Sequence, residues 1–126
     1  KSYLAQCYFW GRGVEINYEM AVNMMNGLIK ERLDYPKELM GYCCLYGKGT
    51  GVDTIRGKRL LEEAAQADKN MAWKFLGDMY DGAVGVPENI PMAVSCYQKA
   101  AGKGISVAAD ALKRYKKTIF GKWKRK

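Results

Sequence analysis

Histidine is absent from these 126 residues, which removes a large block of chemistry. No Ser–His or Cys–His nucleophile pair can be assembled without it. Four cysteines are present, Cys7, Cys43, Cys44 and Cys96, but none stands in a C-x-x-C spacing. A tetrahedral zinc site would need all four thiolates to converge, and neighbours such as Cys43 and Cys44 project roughly 100° apart on a helix. Buried free thiols are therefore the expected state, with a disulfide as the main alternative and no metal site. Paired carboxylates occur only as Glu62–Glu63, adjacent residues that face different ways on a helix. Gly47-Lys48-Gly49-Thr50 lacks the G-x-x-x-x-G-K-[ST] spacing of a phosphate loop. We expect no catalytic residue and no cofactor.

Long apolar runs are also missing. None approaches the roughly 20 residues that cross a bilayer, and the first residues lack the charged-then-apolar pattern of a signal peptide. The chain starts at Lys1 where a nascent protein has Met. The expectation is a processed or excised chain, with a leader, an anchor or further repeats removed. Disorder is excluded by a 48% apolar composition, and the length suits one domain with a real core.

Acidic residues are absent from one stretch. Residues 113–126 carry Lys113, Arg114, Lys116, Lys117, Lys122, Lys124, Arg125 and Lys126 with no opposing carboxylate. These eight charges equal the whole net charge of +8, so the rest of the chain is neutral. Such a tail attracts phosphate, a membrane surface or an acidic partner. The plainer expectation is a solvated, partly frayed C-terminal helix.

What is present is a repeat. Offset by 36 residues without gaps, the sequence aligns with itself. Leu4, Met40, Leu76 and Leu112 share one position, and Ala5, Gly41 and Gly77 share the next. Cys7, Cys43 and Met79 coincide, as do Gly13, Gly49 and Gly85, and then Ala21, Gly57 and Ala93. Leu28, Ala64 and Ala100 match, followed by Ile29, Ala65 and Ala101. Each unit reads as two helices joined by a glycine-bearing turn. Met71–Tyr80 shows the three- and four-residue apolar spacing of a first helix. Arg56–Ala65 and Pro91–Ala101 read as second helices, with Pro91 tolerated in the first turn and Pro36 in a similar place. Gly11, Gly13, Gly47, Gly49 and Gly82 to Gly85 supply the reversals. Gly41 and Gly77 are expected to face the small residues Ala21, Ala64, Ala93 and Ala100 where helices cross.

The stretch LGDMYDGAVGVPENIPMAVSCYQKAA resembles the Sel1-like repeat, a relative of the tetratricopeptide repeat. Ala72, Leu76, Gly77, Tyr80, Gly82, Gly85, Val86, Ala93, Tyr97, Lys99, Ala100 and Ala101 carry the likeness in the third unit. The first unit keeps Leu4, Tyr8, Gly11, Gly13, Val14 and Ala21, and the second keeps Gly41, Gly47, Gly49, Ala64 and Ala65. The resemblance implies an all-α fold, a right-handed α/α superhelical solenoid of about three and a half 36-residue helix-turn-helix repeats. The units would be residues 1–36, 37–72 and 73–108 of a single domain spanning 1–126, followed by a capping helix and basic tail over 109–126. Some secreted members bridge their helices near the K-A-A segment. Ile29, Ala65 and Ala101 stand at that end here, so this disulfide framework is missing.

The resemblance also implies a non-catalytic scaffold or adaptor that binds another protein on the concave surface lined by its first helices. Mapped groove positions are Ser2, Gln6 and Phe9 in the first unit, then Tyr35, Glu38, Tyr42 and Leu45. The third unit offers Met71, Lys74, Asp78 and Asp81, and the last half unit Val107, Asp110, Arg114 and Lys117. Tyr42, Lys74, Asp78 and Arg114 are the foremost candidates, since Tyr and Arg dominate protein-binding hot spots. Trp10, beside a glycine turn, is a further contact candidate. Trp73 is expected in the core, and Trp123 as a capping contact on the last repeat. An immunity protein that neutralises a bacterial toxin is the alternative role. Nucleic-acid or membrane association through the tail is a second alternative. No small-molecule substrate is expected, a monomer is favoured, and a bacterial source leaves cytoplasm and periplasm both open.

Overall fold

Paired helices are what the periodicity predicts, and the computed structural model contains them. It describes residues 2–82, 86–117 and 121–126, apart from the side chains of Ser2 and Asn70. Gly85 and the Ser2 side chain, both assigned above, therefore lie outside what is described. The elements are α1 (Ser2–Trp10), α2 (Tyr18–Lys30), α3 (Lys37–Tyr46), α4 (Thr54–Gln66), α5 (Asn70–Tyr80), α6 (Ile90–Gly102), α7 (Ser106–Leu112), β1 (Tyr115–Lys117) and β2 (Trp123–Arg125). Contacts group them into two compact units, residues 1–64 and 65–126.

The second helix of every repeat begins in the same way. Asn17, Asp53 and Asn89 stand 36 residues apart, and each side chain accepts a hydrogen bond from the backbone N–H three residues on, at 3.0, 3.0 and 3.2 Å. These are N-caps, satisfying donors that no helical carbonyl can reach. The backbone N–H of the same three residues donates to the carbonyls of Tyr8, Cys44 and Tyr80 at 2.8, 2.7 and 2.8 Å. That bond clamps each turn shut at a fixed length. Pro91 sits in the first turn of α6 as expected, whereas Pro36 precedes α3 as its N-cap residue.

In the first unit the core is built from one stripe of each helix. Ala5 and Phe9 of α1, Ala21, Met25 and Leu28 of α2, Met40 and Leu45 of α3, and Leu61 of α4 are all buried. Gly49 shows why a glycine recurs in the turn. Its φ is +75°, and a Cβ there would stand 2.4 Å from the Tyr18 carbonyl oxygen, so both conformation and space demand it. The helix crossing differs from expectation. Gly41 lies against the Gly57 carbonyl and the Leu61 side chain, where a Cβ would meet them at 3.1 and 2.9 Å. A glycine faces a glycine there, which lets α3 and α4 approach with backbone almost touching backbone.

The second unit packs Ala93, Val94, Tyr97 and Ala100 of α6 with Ala108 and Ala111 of α7 and with Tyr115. Gly77 of α5 does not face alanine here either. A Cβ on it would stand 2.7 Å from the Tyr97 ring, so the glycine makes room for a buried aromatic. Trp73 is half-buried against this cluster, as expected of a core tryptophan, and Lys99 covers its ring at 4.3 Å.

The C-terminal tail is the main correction. Helix α7 stops at Leu112, and β1 and β2 pair antiparallel as a hairpin in which Tyr115 pairs with Arg125, Lys116 with Lys124 and Lys117 with Trp123. The helix expected over the basic tail is thus replaced by two short strands. A helix would bring like charges together at three- and four-residue spacing. A strand separates Tyr115 and Trp123 from the lysines by simple alternation. Tyr115 is buried, and Trp123 packs half-buried on the α6–α7 cluster, so the capping role expected of Trp123 is met by a strand.

Candidate protein interface

The α5 sequence MAWKFLGDMY buries Ala72, Phe75, Leu76 and Met79, and this leaves Lys74 and Asp78 one turn apart on another face. They form an ion pair at 2.6 Å, each about a quarter exposed. Asp78 also accepts a hydrogen bond from the hydroxyl of Tyr97, a residue otherwise wholly buried in α6. Arg114, just beyond α7, donates from Nη2 to the same hydroxyl at 3.1 Å and from Nε to the Ala111 carbonyl at 3.3 Å. The chain Lys74–Asp78–Tyr97–Arg114 thus links α5, α6 and the end of α7. Burial and then the bond to Asp78 push the Tyr97 hydroxyl far above its ordinary pKa, so it remains a donor throughout the physiological range.

Beside this chain lies an open cleft of about 340 Å³, lined by Lys74, Asp78, Val107, Asp110, Ala111 and Arg114. Val107 is half exposed. Asp110 pairs with Lys113 at 3.5 Å, with both side chains largely in solvent. The cleft therefore offers a small apolar floor flanked by two cations and two carboxylates. Four residues expected to contact a partner, Lys74, Asp78, Asp110 and Arg114, converge on it.

Two others from this half of the chain do not. Asp81 faces the hairpin, where it accepts from the Tyr115 hydroxyl and from Arg125 at 3.0 and 3.2 Å, with Arg114 at 3.8 Å. It pins the tail to α5 and keeps only about a fifth of its side chain exposed. Lys117 sits on β1 and not on a helix face, with its ammonium 5.8 Å above the Trp123 ring. Arg125 adds an ion pair to Glu88 at 2.6 Å. Asp81 and Tyr97 anchor this half of the molecule. A helical reading of the tail could not assign that role to Asp81, since Tyr115 and Arg125 reach it from the two strands.

In the first unit the expected contact residues divide between core and surface. Phe9 is buried, stacked edge-on against Trp10, Tyr18 and Tyr42 at 4.7, 5.4 and 5.3 Å. Placing it at an interface is corrected: it is the hub of an aromatic cluster, whose ring edges meet neighbouring faces in the favoured geometry. Tyr42 is half-buried in the same cluster, 4.8 Å from Tyr46. Trp10 is exposed over about a third of its surface, while Gln6 is half-buried. Tyr35, two residues before α3, and Glu38, in its first turn, are half-buried as well. Burial raises the Tyr35 hydroxyl pKa although Arg56 opposes it. One Glu38 oxygen, Oε1, is buried with no hydrogen-bond partner among the described residues.

The cysteines are buried free thiols. Desolvation pushes Cys43 up to about 12 and Cys96 to about 11, and raises Cys44 as well. A thiol held protonated in this way is a poor nucleophile at neutral pH. Among the described residues no group of three or more Cys, Asp or Glu side chains is placed to hold a metal ion, and no helix is long and apolar enough to cross a membrane.

These repeats place the chain in a known class. The Sel1 repeat model matches residues 2–26, 38–69 and 74–105, and the chain belongs to the Sel1 repeat family. Its fold is the helical repeat solenoid of that family, shared with two solved structures. One is a Sel1 repeat protein from Oxalobacter formigenes, with 22% identity, a TM-score of 0.66, and coverage of 88% of this chain and 45% of that one. The other is a protective antigen present in uropathogenic Escherichia coli strains and displaying an SLR fold. It has 27% identity and a TM-score of 0.66, over 88% of this chain and 24% of that one. This chain thus spans less than half the length of either relative. No curated protein matches it. Sel1 repeats are in general protein-interaction modules and not catalysts.

Proposed function

We propose that this chain is a protein-binding scaffold module, and that the cleft between α5 and α7 receives a segment of its partner. The observation that carries this reading is the convergence of Lys74, Asp78, Asp110 and Arg114 around the Val107–Ala111 floor. The internal bonds of Arg114 use Nε and Nη2, which leaves its Nη1 donors for an incoming carboxylate or carbonyl. A partner side chain of modest apolar bulk would cover Val107. Fixed charges of both signs around a small apolar centre are the layout of a specific protein contact, with the polar rim setting register.

The structure also selects the test. Asp78 supports Tyr97, so reversing its charge would disturb the fold along with the surface. Val107 and Asp110 line the cleft without holding any other element in place. A photo-crosslinking side chain at position 107 should trap a single partner from the source cells. The Val107→Glu/Asp110→Lys variant, folded normally by circular dichroism, should lose that partner in a pull-down. Equal recovery by variant and wild type would overturn the assignment of this cleft. The partner's identity then separates a scaffold from a toxin-neutralising immunity protein.

A further inference from the structure

The hairpin sorts its basic residues by type. Arg125 on β2 and Arg114 just before β1 both turn inward, onto Asp81, Glu88 and the Tyr97 hydroxyl. Tyr115 is buried and Trp123 half-buried on the same side. Alternation along the strands then puts Lys116 and Lys124 on the opposite, outward face, and the register sets them directly across from one another. Both are exposed, and neither has a carboxylate within ion-pair distance among the described residues. Like charges directly opposed on adjacent strands destabilise a hairpin. The fold therefore holds a repulsive pair in place with an inward anchor of two tyrosines, two arginines and two carboxylates.

We propose that this outward lysine face rests on an anionic phospholipid surface, docking the module to a membrane. An array of lysines fits that target. Lysine is a strongly hydrated point charge that attracts phosphate without a fixed geometry, whereas arginine reads planar groups bidentately. Here Arg114 and Arg125 are engaged by Asp81, Glu88 and Tyr97, whereas Lys116 and Lys124 have no such partner among the described residues. The ribbon is short: three residues per strand span about 10 Å. Nucleic-acid binders that neutralise on the order of 6–10 phosphates need a longer basic track, and the remainder of this chain is neutral. A bilayer presents its phosphates as a continuous sheet, so a small flat patch meets several headgroups at once.

The test is sedimentation of the full chain with vesicles of phosphatidylcholine alone or mixed with phosphatidylserine. Wild type should bind only the mixed vesicles, and roughly 0.5 M salt should release it. Lys116→Gln/Lys124→Gln should weaken binding by about tenfold or more. The same charge change at two other exposed lysines, Lys30→Gln/Lys69→Gln, should leave it near the wild-type level. The hairpin variant should melt at the same or a higher temperature, because its only internal change is loss of a repulsion. It should also keep any partner captured at the α5–α7 cleft, so the two proposals fail independently. Absence of binding to the mixed vesicles, or equal weakening by both double variants, would overturn the inference. So would displacement by millimolar inorganic phosphate, or tighter binding to a nucleic-acid duplex in a parallel titration.

Discussion

The hydroxyl of Tyr97 donates to the carboxylate of Asp78, joining α6 to the face of α5 that borders the cleft. Replacement by phenylalanine keeps the ring, and with it the packing on Gly77, but leaves Asp78 and Arg114 without their shared partner. Tyr97→Phe should cost about 1–2 kcal/mol, read from the urea midpoint. In combination with Asp78→Ala the two losses should be less than additive, because both remove the same bond.

Two helix-interior glycines should respond to alanine in opposite ways. A Cβ at Gly77 would stand 2.7 Å from the Tyr97 ring, whereas one at Gly27 would meet nothing within 4 Å. Gly77→Ala should destabilise by about 1–3 kcal/mol through overpacking, despite the better helix propensity of alanine. Gly27→Ala should stabilise by about 0.5–1 kcal/mol. Thermal melts of the two variants side by side check the pair.

Asp81 is the anchor of the tail. Asp81→Ala should free the hairpin while leaving the helices of the first unit intact. We expect faster tryptic cleavage within residues 113–126 and a stability loss of about 2 kcal/mol. Arg125→Gln should do much less, because that side chain is nearly half exposed and its ion pairs are screened.

Alkali should unfold the protein earlier than the loss of ion pairs alone would. Cys43 rises from 9.0 to about 12 and Cys96 from 9.0 to about 11 on folding, and Tyr97 rises above its ordinary 10.0. A folded-state pKa above the unfolded value means that the folded state holds its proton longer. The stabilisation is therefore complete below about pH 9 and is lost as pH climbs through the folded values. Urea midpoints should be flat from pH 7 to about 8.5 and fall beyond. At pH 8 a thiol reagent should label Cys43 and Cys96 only at the rate of unfolding.

Asn17, Asp53 and Asn89 illustrate how much of the fold is local. Their spacing repeats with the glycines, and each is an N-cap by side-chain chemistry alone; Asn17→Ala and Asn89→Ala should each cost about 1 kcal/mol. The sequence alone determined the 36-residue register, the helix pairs and the reversals, because those rest on periodicity, caps and backbone conformation within a few residues. It also made Lys74, Asp78, Asp110 and Arg114 legible as one surface, since equivalent positions in successive repeats fall on equivalent faces. Only the tertiary structure decided the rest. Phe9 went inside because Trp10, Tyr18 and Tyr42 surround it, and Gly77 met a tyrosine ring because Tyr97 reaches across from α6. The basic tail became a pair of strands because Tyr115 is buried on the α6–α7 cluster and bonds Asp81 across 34 residues, with Arg125 joining the same carboxylate from 44 residues away. Pairings over such distances depend on which surfaces the folded chain presents to each other, and no local pattern encodes them.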